Sequence, residues 1–441
     1  MAEHEKGRPR FQLENLDDRS PEKAVVLVPL LRGPAIERRS EQARLEEAVG
    51  LARAIDLDIV HAGTVSLAST KPGTLLGTGK VEELAGIVAA SDAGVVIVDH
   101  ALTPVQQRNL ETAWSTKVLD RTGLILEIFG ARAATREGRL QVDLAQLNYQ
   151  KGRLVRSWTH LERQRGGVGF MGGPGETQIE ADRRQLQEKI NRIERELETV
   201  RRTRTLHRSK RKRVPHPIVA LVGYTNAGKS TLFNQLTDAE VMAKDQLFAT
   251  LDPTLRRLRL PGGTLVILSD TVGFVSDLPT DLIAAFRATL EEVLEADLIL
   301  HVRDASDPDN QAQAEDVADV LKKLGIEPGD DARILEVWNK IDLLEDAAAE
   351  AIRETRDDAQ LVSALTGNGL QRLLSEIEER ITGTHRRSRL LLAAEQGAVV
   401  SWLHENARVL KRRDKDDGTV ELDVSISDRA AGQLKRLYGV G

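Results

Sequence analysis

One stretch limits what this chain can fold into more than any other: Gly223-Tyr224-Thr225-Asn226-Ala227-Gly228-Lys229-Ser230. An apolar run from Pro217 to Val222 leads into it, and Thr231-Leu-Phe-Asn-Gln-Leu236 leads out with helical character. Strand, glycine-rich turn and helix in that order read as a phosphate-binding loop. Gly223 and Gly228 let the backbone curl until successive N–H groups converge on an anion, and the helix dipole adds to the same end. Lys229 is placed to reach the outer phosphates, and Ser230 to offer its hydroxyl to Mg2+.

Downstream, a second apolar run, Arg333 to Trp338, ends in Asn339-Lys340-Ile341-Asp342. A carboxylate at such a strand end accepts two hydrogen bonds from N1–H and the 2-amino group of guanine. Adenine offers neither donor and would leave the carboxylate unpaired. Asn339 is suited to bond N7, the Lys340 stem to lie over the ring, and the N–H groups of Ser363-Ala364-Leu365 to meet the guanine oxygen. Between the two segments, Asp270 closes an apolar strand and is followed by Thr271, Val272 and Gly273. Asp270 there holds Mg2+ through water, and the Gly273 N–H faces the γ-phosphate. Upstream of it, Phe248-Ala249-Thr250-Leu251-Asp252 precedes Pro253-Thr254. Thr250 is expected as the second side-chain ligand to Mg2+, with Thr254 as the fallback. Order and spacing are those of a G-domain that cycles between GTP and GDP.

Phe274 stands where many signalling GTPases carry a glutamine that orients the attacking water. Phenylalanine has no hydrogen-bonding group, so no catalytic side chain is assigned and hydrolysis by the chain alone is expected to be slow. Asn226 is a candidate K+ ligand beside the phosphates; a side-chain bond within the loop is its competing reading.

The chain has 441 residues, 41% of them hydrophobic, with a net charge of −6. That length suggests about three domains. The absence of cysteine excludes disulfides, thiol catalysis and zinc-ribbon sites. No signal-peptide core and no long apolar run is present, so no transmembrane segment is expected and a cytoplasmic location is compatible. The predicted fold is α/β: a P-loop G-domain with a mostly parallel sheet flanked by helices over 215–383. Residues 1–22 read as a loose N-terminus and 23–136 as a small α/β domain, with strands at 24–30, 94–98 and 117–119. Helices are expected at 36–55, 81–90 and 104–114. A small α+β tail spans 384–441, helical from Gln396 to Leu410 and extended from Thr419 to Ile426.

Residues 137–214 form the less ordinary part. Leu140, Leu144 and Leu147 share one helical face, and a glycine-rich run from Gly166 to Gly175 interrupts it. Ile179, Leu186, Ile190, Ile193, Leu197 and Val200 then follow heptad spacing. The pattern predicts an antiparallel helical hairpin with a bare tip, about 35–40 Å long for ~25 residues per helix. A basic linker follows, Arg201 to Arg213, with no acidic residue. A solvated linker and a nucleic-acid-binding segment both fit it. The heptads are read as pairing within the chain, hence a monomer.

Beyond the G-domain elements, several segments carry a resemblance. They are Gly77-Thr-Gly79-Lys80-Val-Glu-Glu83-Leu84, Leu102-Thr-Pro-Val-Gln-Gln-Arg108-Asn109, Asp120-Arg121-Thr122 through Phe129, Gly138-Arg-Leu-Gln141, and the tip Gly166 to Glu176. With Phe248 to Asp252 and Phe274, they make the chain resemble the HflX family of ribosome-associated GTPases, within the Obg–HflX-like P-loop GTPases. The tip departs from the family pattern at Phe170 and Met171, and Gly130 stands where a longer side chain is usual. The resemblance implies a Mg2+-dependent GTPase that binds the large (50S) ribosomal subunit and its RNA and separates stalled ribosomes. The competing function is a ribosome- or RNA-binding module that GTP switches, with hydrolysis incidental. A nucleotide-regulated adaptor for a membrane or protein partner finds no lipid anchor or basic amphipathic helix in its favour. Gly77-Thr-Gly79-Lys80 is read as a plain turn, with a second nucleotide site as its alternative.

Overall fold

The structure is a computed structural model. It describes residues 21–31, 39–164, 174–211, 216–237, 247–248, 254–276, 287–328, 331–356, 359–383, 385–415 and 418–439. The glycine-rich tip at 165–173, the N-terminus at 1–20 and Ala249 to Asp252 lie outside the described residues.

The first sheet holds β1 (Lys23–Leu31), β2 (Asp58–Leu67), β3 (Val95–Val98) and β4 (Lys117–Asp120) in the order β2-β1-β3-β4, all parallel. Every residue of β1 except its two ends is buried, as a central strand covered on both faces requires. The crossovers are α1 (Glu41–Arg53), α2 (Thr78–Ser91) and α3 (Pro104–Trp114). Ser40 caps α1, and Thr103 with Gln106 forms a capping box on α3. The expected helix at 36–55 starts later, at Glu41, behind its cap. β2 escaped the sequence reading because it is an edge strand, half exposed and interrupted by His61, Thr64 and Ser66. α4 (Arg121–Arg132) follows with Asp120 as its cap; Leu124, Ile125, Leu126, Ile128 and Phe129 are all buried because the helix is enclosed on several sides.

α5 (Arg136–Gln164) and α6 (Pro174–Arg211) pack on each other as the predicted hairpin. They run longer than expected: 38 residues make α6 about 57 Å at 1.5 Å per residue. Ile190 and Leu197 of the heptad face are buried, so the heptads pair within the chain. Val142 and Ala145 root α5 in the same core as Phe129, and Tyr149 donates to Asp120 at 2.6 Å.

The second sheet has the order β10-β9-β8-β5-β7-β6. Its strands are β5 (Ile218–Gly223), β6 (Thr254–Arg259), β7 (Leu265–Asp270), β8 (Leu298–Asp304), β9 (Ile334–Asn339) and β10 (Gln360–Leu361). All pairs are parallel except β6 with β7. β6 was missed because its arginines leave it an exposed edge. Among the described residues the helices that accompany the sheet are α7 (Lys229–Thr237), α8 (Arg287–Leu294), α9 (Asn310–Lys323), α10 (Asp346–Thr355) and α11 (Leu370–Thr382). β5 lies between β7 and β8, so the strand order reverses at the end of β5, where ligands bind in open α/β sheets.

The tail is a three-stranded antiparallel sheet, β11 (His385–Leu392), β13 (Val420–Ser427) and β12 (Arg408–Asp414), with α12 (Gly397–Asn406) and α13 (Asp428–Tyr438). This corrects the helix expected to run to Leu410. α12 stops at Asn406, and Arg408 to Asp414 joins β13 as a strand, because pairing with β13 outweighs local helix preference.

The first unit and the G-domain share one apolar cluster that includes Phe129, Tyr224, Phe248, Phe274 and Val275. Phe129 and Phe248 meet edge to face, centroids 4.7 Å apart. Gly50 leaves room for Leu247, whose Cδ1 would stand 3.1 Å from a Cβ placed there. Replacing Phe129 with alanine removes a fully buried ring from this shared cluster and is expected to cost ~3–5 kcal/mol in denaturant unfolding. A loss below about 1 kcal/mol would show that the two units do not depend on it.

Candidate functional site

The phosphate-loop geometry follows from two glycines. Gly228 has φ +86, and a Cβ there would collide with the Asn339 amide. Gly223 has φ +154, with the Val302 carbonyl against it. Asn226 takes a left-handed φ of +60 with its side chain exposed, where an asparagine is tolerated. Lys229 is buried and donates to the Tyr224 carbonyl at 2.8 Å, folded back under the loop it would arm. Burial pushes its ammonium down to about 8, opposed in part by the charge of Asp270. His301, paired in register with Val222 on β8, is pushed to about 4 by burial and is neutral near pH 7, adding no second cation.

Ser230 Oγ donates to Asp270 Oδ2 at 2.8 Å, and Asp270 is fully buried at the end of β7. Two hard oxygens brought together beside a phosphate loop fit Mg2+, which uses one or two side chains plus phosphates and water. Thr271 ties back to the Leu221 carbonyl, and Val272 belongs to the core. Thr250, the other expected ligand, lies outside the described residues, as do Ala249, Leu251 and Asp252; Thr254 begins β6.

The base-reading residues converge at the same edge of the sheet. Asn339 Nδ2 donates to the Ala227 carbonyl at 2.9 Å, and its Oδ1 accepts from the Ala364 N–H at 2.9 Å. Asn339 is therefore a strut joining three segments. Ser363 Oγ donates to Asp342 Oδ1 at 2.5 Å, fixing the carboxylate expected to read the base. Ile341 sits on its own apolar cluster, its N–H on the Val362 carbonyl at 3.3 Å; Leu365 is exposed. Lys340 pairs with Asp304 at 2.7 Å. Asp304 and the Ser363 hydroxyl were not singled out from the sequence. Asp304 carries the signal that revealed Asp270: an acid ending an apolar strand.

Two expected nucleotide neighbours point elsewhere. Phe248, at φ +56, buries its ring against Phe129 instead of facing the loop. The Tyr224 side chain leaves the loop for the first unit, where its hydroxyl bonds Glu47 and accepts from Arg39 at 2.8 Å. Phe274 is 1% exposed, its ring in the shared cluster. Gly77-Thr78-Gly79-Lys80 forms the start of α2, where Lys80 pairs with Glu83 at 2.7 Å. Asp342 is expected to accept two charge-assisted bonds from guanine, ~1.5–3 kcal/mol each, which Asp342→Ala would remove. GTP affinity should fall ~10²–10⁴-fold while ATP affinity stays low, as read by competition against a labelled nucleotide; an unchanged GTP affinity would remove Asp342 from the site.

Family profiles match along the chain. Residues 42–130 match the GTP-binding GTPase N-terminal region, 132–211 the GTP-binding GTPase middle region, 218–340 the 50S ribosome-binding GTPase, and 348–441 the HflX C-terminal domain. "GTPase HflX" of Magnetococcus marinus is 49% identical over 420 residues, 95% of this chain and 96% of that protein. "GTPase HflX" of Escherichia coli is 46% identical over 384 residues, 87% and 89% of the two chains. That of Lacrimispora saccharolytica is 41% identical over 93% of this chain and 96% of its own. This chain belongs to the HflX family of GTPases.

Proposed function

We propose that this GTPase depends on Mg2+, turns over slowly alone, and is stimulated on the large ribosomal subunit, which it binds to separate stalled ribosomes. The observation that carries the reading is the burial of Phe274. The residue after Gly273 places no hydrogen-bonding side chain at the attacking water, so the group that orients it comes from elsewhere. Lys229 and the loop amides bind and orient the phosphates; Asp342, held by Ser363, selects guanine. Ser230 and Asp270 would hold Mg2+, which when bound neutralises charge on the phosphate oxygens. Thr250 would complete that site when its segment closes. The exposed amide of Asn226 makes it the candidate for a K+ ion in the same cleft.

Docking falls to the α5–α6 arm. Along its described part many basic groups are balanced within the helix: Arg192 with Glu196, Arg202 with Glu198. The charge excess lies in the acid-free sequence from Arg201 to Arg213, which corrects the expected linker: it continues α6 as far as Arg211. Arg and Lys there would neutralise RNA phosphates, making binding fall steeply with salt. Among the described residues no helix is long and apolar enough to cross a membrane.

The test is GTP turnover by the purified chain, alone and with salt-washed large ribosomal subunits, in K+ and then in Na+. The expected result is stimulation of about tenfold or more, with 10³–10⁵ the scale of a completed site. Fast turnover alone, unchanged by subunits, would mean that catalysis is complete within the chain. Equal rates in K+ and Na+ would remove Asn226 from the account.

A further inference from the structure

A buried ionic network joins the first unit to Tyr224 of the phosphate loop and to Ser276. The Glu47 carboxylate on α1 accepts from Arg39, Arg121, the Tyr224 hydroxyl and Ser276 Oγ, the last at 3.0 Å. Arg121, the first residue of α4, also pairs with Asp99, so two cations meet two carboxylates with almost no solvent contact. The neighbouring guanidinium groups hold Glu47 at about 2 despite its burial. The network grips Ser276 by each of its polar groups. The Ser276 N–H donates to the Tyr224 hydroxyl at 2.8 Å, its carbonyl accepts from Arg121 at 2.8 Å, and its hydroxyl bonds Arg121 at 2.9 Å as well as Glu47.

Ser276 ends the segment Gly273–Ser276, which lies directly on the phosphate loop. The Thr225 N–H donates to the Phe274 carbonyl at 2.7 Å, and the Phe274 N–H to the Gly223 carbonyl at 3.1 Å, so Tyr224 and Phe274 pair like strands. A Cβ on Gly273 would stand 3.0 Å from Lys229 Nζ and 2.9 Å from Thr225 Cγ2. Gly273 and the Lys229 ammonium are therefore closely packed in this arrangement. A loop amide and the loop lysine, both expected to face phosphates, are instead engaged with the chain's own backbone.

We propose that Glu47, Arg121 and Tyr224 form a latch that holds Gly273–Ser276 across the γ-phosphate position. The first unit thereby sets the preference of the site for a nucleoside diphosphate over a triphosphate. The inference rests on the nucleotide-site reading above and adds a role for residues outside the G-domain. A diphosphate leaves the latch closed. A triphosphate must draw Gly273 from Lys229 and break the Thr225–Phe274 bond, which moves Ser276 out of the grip of Glu47 and Arg121. Breaking a paired buried network is costly, so the latch weighs against the triphosphate. Phe248, locked on Phe129, pins the chain just before Thr250 to the same unit.

The experiment titrates fluorescent GDP and a fluorescent non-hydrolysable GTP analogue, each with Mg2+, into the full chain and its Glu47→Gln and Ser276→Ala variants. Ser276→Ala removes only a hydroxyl and keeps the test decisive if Glu47→Gln does not fold. Coupling between sites commonly spans roughly 5–150-fold. In both variants the ratio of the analogue's Kd to that of GDP should fall about fivefold or more, with the Kd of GDP changing less than about twofold. An unchanged ratio in Ser276→Ala, or equal weakening of both nucleotides as a merely structural role would give, overturns the latch. Failure of the wild-type chain to bind either nucleotide would overturn the nucleotide-site reading and the latch with it.

Discussion

The structure depends on one constraint, the tight glycine turn from Gly223 to Gly228 between the end of β5 and the start of α7. An anion-binding turn needs a strand aimed at it, a helix leaving it and glycines where side chains would collide. The Val302 carbonyl and the Asn339 amide supply those collisions at Gly223 and Gly228. Because β5 lies where the strand order reverses, the ends of β7, β8 and β9 come to the same edge. Asp270, Asp304 and Asn339 therefore gather there, the last two in register on β8 and β9. Bonds from Ser230 to Asp270, Lys340 to Asp304 and Asn339 to Ala227 hold these side chains in place.

The same edge faces the first unit. A G-domain could present its phosphate loop to water, yet here Tyr224 is buried in a network of arginines and carboxylates belonging to α1, α4 and β3's end. Such networks contribute little net stability compared with apolar packing, but they tolerate few geometries. That makes them better suited to defining a state than to holding a fold. Stability at the contact comes instead from Phe129, Phe248 and Phe274, whose rings meet in one cluster. One set of residues sticks the units together, and the other registers how the phosphate site is arranged.

Much of this was legible in the sequence because its physics is local. The apolar strands β1, β5, β7 and β9, each ending at a turn or an acid, announced the sheets, and heptad spacing announced the arm. Edge strands β2 and β6 were not legible, since strands with one exposed side carry His, Thr or Arg instead of an apolar run. The start of β12, Arg408 to Leu410, reads as the end of a helix because its partner strand, not its composition, decides its conformation. Within the site, residue types and spacing named Lys229, Asp270 and Asp342. They could not reveal that Tyr224 and Phe248 turn away from the loop, because Glu47, Arg121 and Phe129 are distant in sequence and near only once folded.

The central claim is that the arrangement of the phosphates is felt by the first unit through Ser276. Amide hydrogen exchange of the full chain with saturating GDP or non-hydrolysable GTP analogue tests it most directly. The account predicts faster exchange in α1 and α4 with the triphosphate, because their contacts to Ser276 are released, while the remote tail sheet does not change. Equal protection of α1 and α4 with either nucleotide, with both bound, would contradict it.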